Sequence, residues 1–249
     1  MNVVVNKLLT NYSLSGKGKL VLLLHGWGDS AKGLAVLHKQ LAKDYRVLSL
    51  DLPGFGGTQA PLTPWNLDDY AGFVQSVLKK LDLPQPYAVV GHSNGGALAV
   101  RATSLGLLEP NKLVLLASSG IRGGRSVRRI GLKVLTKVGN AATIWLPERY
   151  RRNLRESLYT TVGSDMLAVP EMRETFQQVV RQDIQADAAN ITQPTLLVYA
   201  EDDPAVPPSD GRVFQRLIKD SRLETVPGGH FVHLEQPERV AQLIREFLT

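Results

Sequence analysis

The pentapeptide Gly91-His92-Ser93-Asn94-Gly95 constrains the chain more than any other stretch. It follows the apolar run Tyr87-Ala88-Val89-Val90 and precedes Gly96-Ala97-Leu98-Ala99-Val100, which reads as a helix. Strand, G-x-S-x-G, helix describes a turn so sharp that the serine takes a strained backbone conformation. Glycine is needed at 91 and 95 because a side chain there collides where strand and helix pass closely. Such a turn lifts the Ser93 hydroxyl above the sheet edge. A chain that contains it is organised as alternating strands and helices.

The rest of the sequence keeps that rhythm. Residues 3–14 alternate loosely and predict an opening antiparallel strand pair. Leu20–Leu24 reads as a buried strand leading into His25-Gly26-Trp27-Gly28. Ser30 is placed to cap a helix through about Leu41, with Leu34, Leu37 and Leu41 on one face. Tyr45–Leu50 is the next strand, closed by the glycine- and proline-dense loop Asp51-Leu52-Pro53-Gly54-Phe55-Gly56-Gly57. A helix over Leu67–Leu81 and a strand at Leu113–Ala117 follow. After a break the pattern resumes with strands at Thr195–Tyr199 and Leu223–Val226, and helices at Gly211–Ile218 and Pro237–Leu248. The pattern implies a mostly parallel central sheet with helices on both faces, and ligands bind at the carboxyl edge of such sheets.

The break runs from Gly120 to about Asn190, where amphipathic stripes replace strands. One stripe is Val127, Ile130, Val134 and Val138, and a second is Tyr150, Leu154 and Leu158. The third is Met172, Phe176, Val179, Val180 and Ile184, beginning near Pro170. Residues 1–120 and 191–249 are thus expected to form the core, and 121–190 an inserted helical cap above Ser93. Ten basic residues fall between Ile121 and Arg155 against one acid, Glu148, which exceeds the whole net charge of +6. The plain reading is a solvated helix face whose long stems cover apolar surface. The functional reading is electrostatic steering of an anionic substrate, or a docking face for an acidic partner such as a carrier protein or for an anionic membrane surface. Nucleic acid is not expected, because no aromatic-interleaved basic strand or recognition motif accompanies the charge.

Chemistry at Ser93 needs a base. Of five histidines, His25 belongs to its turn, His92 points away from its neighbour, and His38 reads as surface or satisfied polar. His230 and His233 lie between the last strand and the last helix, and Gly228-Gly229 lets His230 swing inward. His230 is therefore the candidate base, and His233 packs or shapes the pocket. The base needs a carboxylate, and Glu201-Asp202-Asp203 follows a strand at the same edge. Adjacent carboxylates face different ways, so only one of them meets His230. Two N–H donors are needed for a developing oxyanion. The candidates are Asn94 N–H and Trp27 N–H.

The sequence is identified as a member of the α/β-hydrolase superfamily over essentially its full length. The motifs are His25-Gly26-Trp27-Gly28, Asp51-Leu52-Pro53-Gly54-Phe55-Gly56, Gly91–Gly95, Asp203-Pro204-Ala205-Val206-Pro207 and Gly229-His230. In that family the acid before x-x-Val-Pro usually completes the triad, which favours Asp203. The resemblance implies an α/β-hydrolase fold, an inserted helical cap and no cofactor or metal. The chain departs at Asn94, where relatives more often carry a larger apolar or other residue. A serine nucleophile excludes the dehalogenases and epoxide hydrolases of this fold, which need a carboxylate there. It leaves ester, thioester or amide hydrolysis, cleavage of an activated C–C bond, acyl transfer, and peroxide-dependent chemistry. The expected activity is a carboxylesterase for small to medium esters; the alternatives are a C–C hydrolase of meta-cleavage type, an esterase for a carrier-protein-bound ester, and a ligand receptor. The basic segment and shared motifs also resemble esterases that demethylate a pimeloyl ester on acyl carrier protein.

The chain has no cysteine, which excludes disulfides and thiolate chemistry. No apolar run approaches the roughly 20 residues of a membrane span, and the start lacks a signal-peptide pattern. The expectation is a cytoplasmic monomer or homodimer without stable membrane insertion, acting on a small-molecule ester.

Overall fold

The computed structural model describes residues 1–122 and 169–249. The first two stripes of the expected cap, and nine of the ten basic residues between Ile121 and Arg155, lie outside the described residues; Arg122 is the exception among those ten.

Strands β1 (Asn2–Val5) and β2 (Leu8–Ser15) form the opening hairpin. Its loop is Asn6-Lys7, both at positive φ (48° and 68°), which matches the twist of the flanking strands. Further strands are β3 (Leu20–Leu24), β4 (Arg46–Leu50), β5 (Ala88–His92), β6 (Lys112–Leu116), β7 (Thr195–Ala200) and β8 (Ser221–Val226). They join in one eight-stranded sheet of order β1-β2-β4-β3-β5-β6-β7-β8. β2 pairs antiparallel with β4, and every later pair from β4 to β8 is parallel.

Helices α1 (Ala35–Leu41), α2 (Leu67–Lys80), α3 (Asn94–Ser104), α4 (Arg173–Arg181), α5 (Gln185–Ala189), α6 (Pro208–Leu217), α7 (Val232–Glu235) and α8 (Pro237–Leu248) are described. The strands alternate between two cores. Leu20, Leu22 and Leu24 face α2 and α3 with Phe73, Val74 and Leu98. Val21 and Leu23 face α1 and α8 with Leu37, Leu41, Val240 and Ile244. A parallel strand covered on both faces must be apolar at every position, which is why β3 reads Leu-Val-Leu-Leu-Leu.

From β3 the chain steps outward to β4, then returns to the other side of β3 with β5. The sheet therefore changes direction between β3 and β5, and a crevice opens beyond their carboxyl ends. The turn at 25–28 and the turn at Ser93 both leave from that point.

Two helix starts differ from expectation. α1 begins after Leu34 rather than at Ser30. Residues 30–35 form turns instead (Gly33 N–H to Ser30 O, 3.0 Å; Ala35 N–H to Lys32 O, 3.1 Å), pinned where the Ala31 amide donates to Asp51 Oδ1 at 2.7 Å. α6 begins at Pro208 rather than Gly211, because proline suits a first helical turn whose N–H has no acceptor. α2 is fastened by a reciprocal cap: Asp68 N–H donates to Asn66 Oδ1 (2.7 Å) and Asn66 N–H to Asp69 Oδ2 (2.9 Å).

The third stripe folds as a 3₁₀ turn (Pro170–Met172) and α4, with Ile184 just before α5. Met172, Val179 and Ile184 are buried, whereas Val180 is exposed. This segment is tied to the approach to α2: Trp65 N–H donates to Thr175 Oγ1 (3.1 Å) and Leu67 N–H to Gln182 Oε1 (2.7 Å). Among the described residues no helix is long and apolar enough to cross a membrane.

Candidate active site

Ser93 stands between β5 and α3 at φ 51°, ψ −116°, a conformation that costs a non-glycine residue about 1–3 kcal/mol. The surroundings impose it. A Cβ on Gly91 would strike the Gly95 carbonyl, and one on Gly95 would strike the carbonyls of Leu24 and His25. The Ser93 amide is spent on Leu116 O (2.9 Å), and its carbonyl accepts from Gly96 (3.0 Å) and Ser119 (3.1 Å). Held at both ends, the residue has only its side chain to offer.

The Ser93 hydroxyl lies 2.9 Å from His230 Nε2, and His230 Nδ1 lies 2.7 Å from Asp203 Oδ2. Asp203 is fully buried at its side chain and its other oxygen accepts from the amides of Ala205 (2.8 Å) and Val206 (2.9 Å). Those two bonds explain the value of Asp-Pro-Ala-Val-Pro: the loop curls back so that one carboxylate oxygen is fixed and the other faces the ring. Asp202 is exposed, while its own amide donates to Gly228 O at 3.0 Å. The structure therefore brings Asp203, and not Asp202, to His230. A carboxylate only accepts, so His230 carries its proton on Nδ1 and presents a lone pair to Ser93. The arrangement can draw the hydroxyl proton onto Nε2 while Asp203 steadies the resulting imidazolium.

Gly228 makes the turn before His230 at φ +122°, and Gly229 N–H donates to Glu235 Oε2 at 2.7 Å. The short helix α7, which periodicity alone does not reveal, provides that carboxylate.

The amides of Trp27 and Asn94 donate to no acceptor among the described residues. Asn94 opens α3, so its N–H lies at the positive end of a helix. The loop at Trp27 packs directly on the elbow: a Cβ on Gly26 would sit 3.2 Å from Ser93 Cβ and 3.0 Å from His92 Nδ1. The Trp27 ring meets Phe55 (4.8 Å) and Phe176 (5.1 Å).

The remaining histidines have distinct jobs. His25 Nε2 accepts from Leu52 N–H (2.9 Å) and Nδ1 donates to Gly26 O (2.7 Å), so one buried ring joins the loops after β3 and β4. Burial lowers its pKa, partly offset by the Gly26 carbonyl and the charges of Asp29 and Asp51. His38 is satisfied by Ser15 (2.7 Å) and Ser49 (2.6 Å), as expected. His233 is buried, and burial with the nearby His230 pushes it down to about 4. Asp51 has a role that its motif did not disclose: it accepts from Ala31, from Gly57 (2.7 Å) and from Asn11 Nδ2 (2.8 Å).

Above Ser93 lies a cavity with a largely apolar wall that includes Ala97, Ile121, Phe176, Val179 and Val206. Asp210 joins that wall, and burial pushes its carboxyl up to about 6 despite a bond from Ser209.

Comparison with known proteins extends over the whole chain. The sequence profile of the alpha/beta hydrolase family matches residues 21–243. The 2-hydroxy-6-oxo-6-(2'-aminophenyl)hexa-2,4-dienoic acid hydrolase of Metapseudomonas resinovorans is 28% identical over 96% of this chain and 87% of its own length. The pimeloyl-[acyl-carrier protein] methyl ester esterase of Nitrosospira multiformis is 26% identical over 92% of this chain and 95% of its own. Among solved structures, a serine hydrolase involved in carbazole degradation (CarC enzyme) superposes with a TM-score of 0.76 at 28% identity, covering 100% of this chain and 97% of that one.

Proposed function

The chain belongs to the alpha/beta hydrolase family, and on that premise we propose that it is a serine hydrolase cleaving small to medium carboxylic esters through an acyl-enzyme on Ser93. The observation that carries this reading is the run of two hydrogen bonds, 2.9 Å and 2.7 Å, from Ser93 through His230 to Asp203.

Ser93 Oγ attacks the ester carbonyl carbon as its proton passes to His230 Nε2. The carbonyl oxygen gathers negative charge and is met by the amides of Trp27 and Asn94, each such donor worth roughly 3 kcal/mol of barrier. The tetrahedral intermediate collapses, the C–O bond to the alcohol breaks, and His230 returns its proton to the departing oxygen. Water then gives a proton to His230 and its oxygen to the acyl carbon, which releases the acid and restores Ser93. The apolar wall of Phe176, Val179 and Val206 suits an acyl group without charge.

A second reading is favoured by the 28% identity to a dienoic acid hydrolase and to the CarC structure. The substrate named for the former is the enol of a vinylogous diketone, and its hydrolysis breaks a C–C bond. The same serine, base and oxyanion donors serve that reaction once the enol has become a ketone.

The experiment is hydrolysis of a p-nitrophenyl ester series, acetyl to dodecanoyl, by wild type and Ser93→Ala. Turnover that depends on Ser93 with a clear chain-length optimum supports the esterase. No turnover of the whole series by folded protein overturns it. Ser93-dependent cleavage of a 2-hydroxy-6-oxo-dienoate would then establish the second reading, and of an acyl-carrier methyl ester a carrier-bound substrate.

A further inference from the structure

A second polar cluster stands beside His230 and takes no part in the hydrogen bonds to Ser93. Asp29, His92 and His233 each bring one ligand-type atom to within 4.8 Å of the others. His92 and His233 are each 1% exposed, and their rings meet edge to face with centroids 4.4 Å apart. Asp29 Oδ2, His92 Nδ1 and both ring nitrogens of His233 are buried without a hydrogen-bond partner among the described residues. Leaving buried polar groups unanswered costs stability. Their gathering at one point asks for a common partner.

Counting protons shows which kind. His92 Nε2 lies 2.9 Å from the main-chain oxygen of His230, and a carbonyl only accepts, so Nε2 carries the hydrogen. With the hydrogen on Nε2, the neutral ring leaves a bare lone pair on Nδ1. Asp29 Oδ1 accepts from Ser30 N–H at 2.7 Å, and Oδ2 again offers only lone pairs. A neutral His233 adds a third lone pair, and its single N–H meets no acceptor. Three lone pairs lie near one another, and among the described residues no hydrogen bond reaches any of them.

We propose that Asp29, His92 and His233 bind a first-row divalent cation of the zinc type, with water completing its shell. Two neutral imidazoles and one carboxylate are a donor set that such ions favour. The Nε2–H of His92 on a main-chain carbonyl is the outer bond that metal-bound histidines usually make, and it fixes the tautomer that frees Nδ1. Metal–nitrogen bonds of about 2.1 Å draw the three ligands closer on binding. The cation is structural. It joins the loop after β3, the end of β5 and the segment after β8, the three segments that carry Trp27, Ser93 and His230.

The test is titration of chelator-stripped protein with Zn²⁺ and with Co²⁺. Expected are one equivalent of zinc per chain retained through gel filtration, a Co²⁺ visible spectrum of low coordination number, and a raised Tm. Asp29→Asn and His233→Gln, checked for folding by circular dichroism, should each weaken binding at least about tenfold and remove the Co²⁺ bands. Absence of retained zinc and of Co²⁺ bands in wild type would mean that water alone answers the cluster, and overturns the proposal. Metal retained equally by both variants also overturns it. The wild-type spectrum decides alone if a variant does not fold.

Discussion

The His92 ring donates from Nε2 to the main-chain carbonyl of His230 across 2.9 Å, so the residue before Ser93 steadies the backbone of the residue that faces it. His92→Phe keeps the ring volume and removes that bond. One neutral hydrogen bond is worth about 1 kcal/mol. Ester turnover should fall roughly five- to tenfold in kcat with KM within about twofold, read by steady-state kinetics. An unchanged kcat would show that the loop holds His230 without help.

Asp203 and Asp202 are chemically alike and differ in where they face. Asp203→Asn should lower kcat by about 10³–10⁴, because an amide permits the wrong tautomer of His230. Asp202→Asn, at an exposed position, should stay within about twofold of wild type. Equal losses in the two variants would contradict the assignment of the acid.

Gly95 and Gly26 fail differently when a methyl group is added. At Gly95 the Cβ meets the carbonyls of Leu24 and His25, main-chain atoms that cannot step aside. Gly95→Ala should cost about 1–3 kcal/mol of stability, seen as a lowered urea midpoint. At Gly26 the neighbours are His92 Nδ1 at 3.0 Å and Ser93 Cβ at 3.2 Å. Gly26→Ala should keep most of its stability and lose activity, since what it displaces is the elbow itself.

Asp210 gives stability a pH dependence of defined sign. Its carboxyl is raised from 3.8 to about 6 in the folded chain, chiefly by burial. The folded state therefore holds the proton more tightly, and stability falls as pH climbs from about 4 through 6, then levels off. The total is about 3 kcal/mol at most. Asp210→Asn should flatten that slope and raise Tm at pH 8, with little change at pH 4. Parallel Tm profiles for the two proteins would refute it.

Much of this architecture is legible in the residues because its constraints are local. Leu20–Leu24 is short, apolar throughout and followed by a glycine turn, which suits a strand buried on both faces, and Gly91–Gly95 between a strand and a small-residue helix suits one sharp turn. Ser93 and His230 can be found from the edge of the sheet on which each loop must end; that edge leaves Asp202 and Asp203 both open, and only the family resemblance favours Asp203. What the pattern does not report is which polar groups meet across loops. Ser30 is a good helix cap in isolation, but Asp51, twenty residues beyond Ala31, takes the Ala31 amide, and the helix begins only at Ala35. The role of Asp51 is hidden for the same reason, since its partners Asn11, Ala31 and Gly57 come from three separate segments. The meeting of Asp29, His92 and His233 is invisible along the chain, because each has a plain explanation where it stands.

The contact between Ser93 and His230 joins positions 137 residues apart, on either side of β6, β7 and β8. The chain is made from its amino end, so a nascent chain holds the hydroxyl long before it holds the base. Ser93 stays an ordinary alcohol until the last strand has docked, and reactivity appears only once a loop of 137 residues has closed. Recovery of turnover after dilution from denaturant therefore times the meeting of β5 with the segment after β8, and a chain cut before β8 has no reactivity to lose.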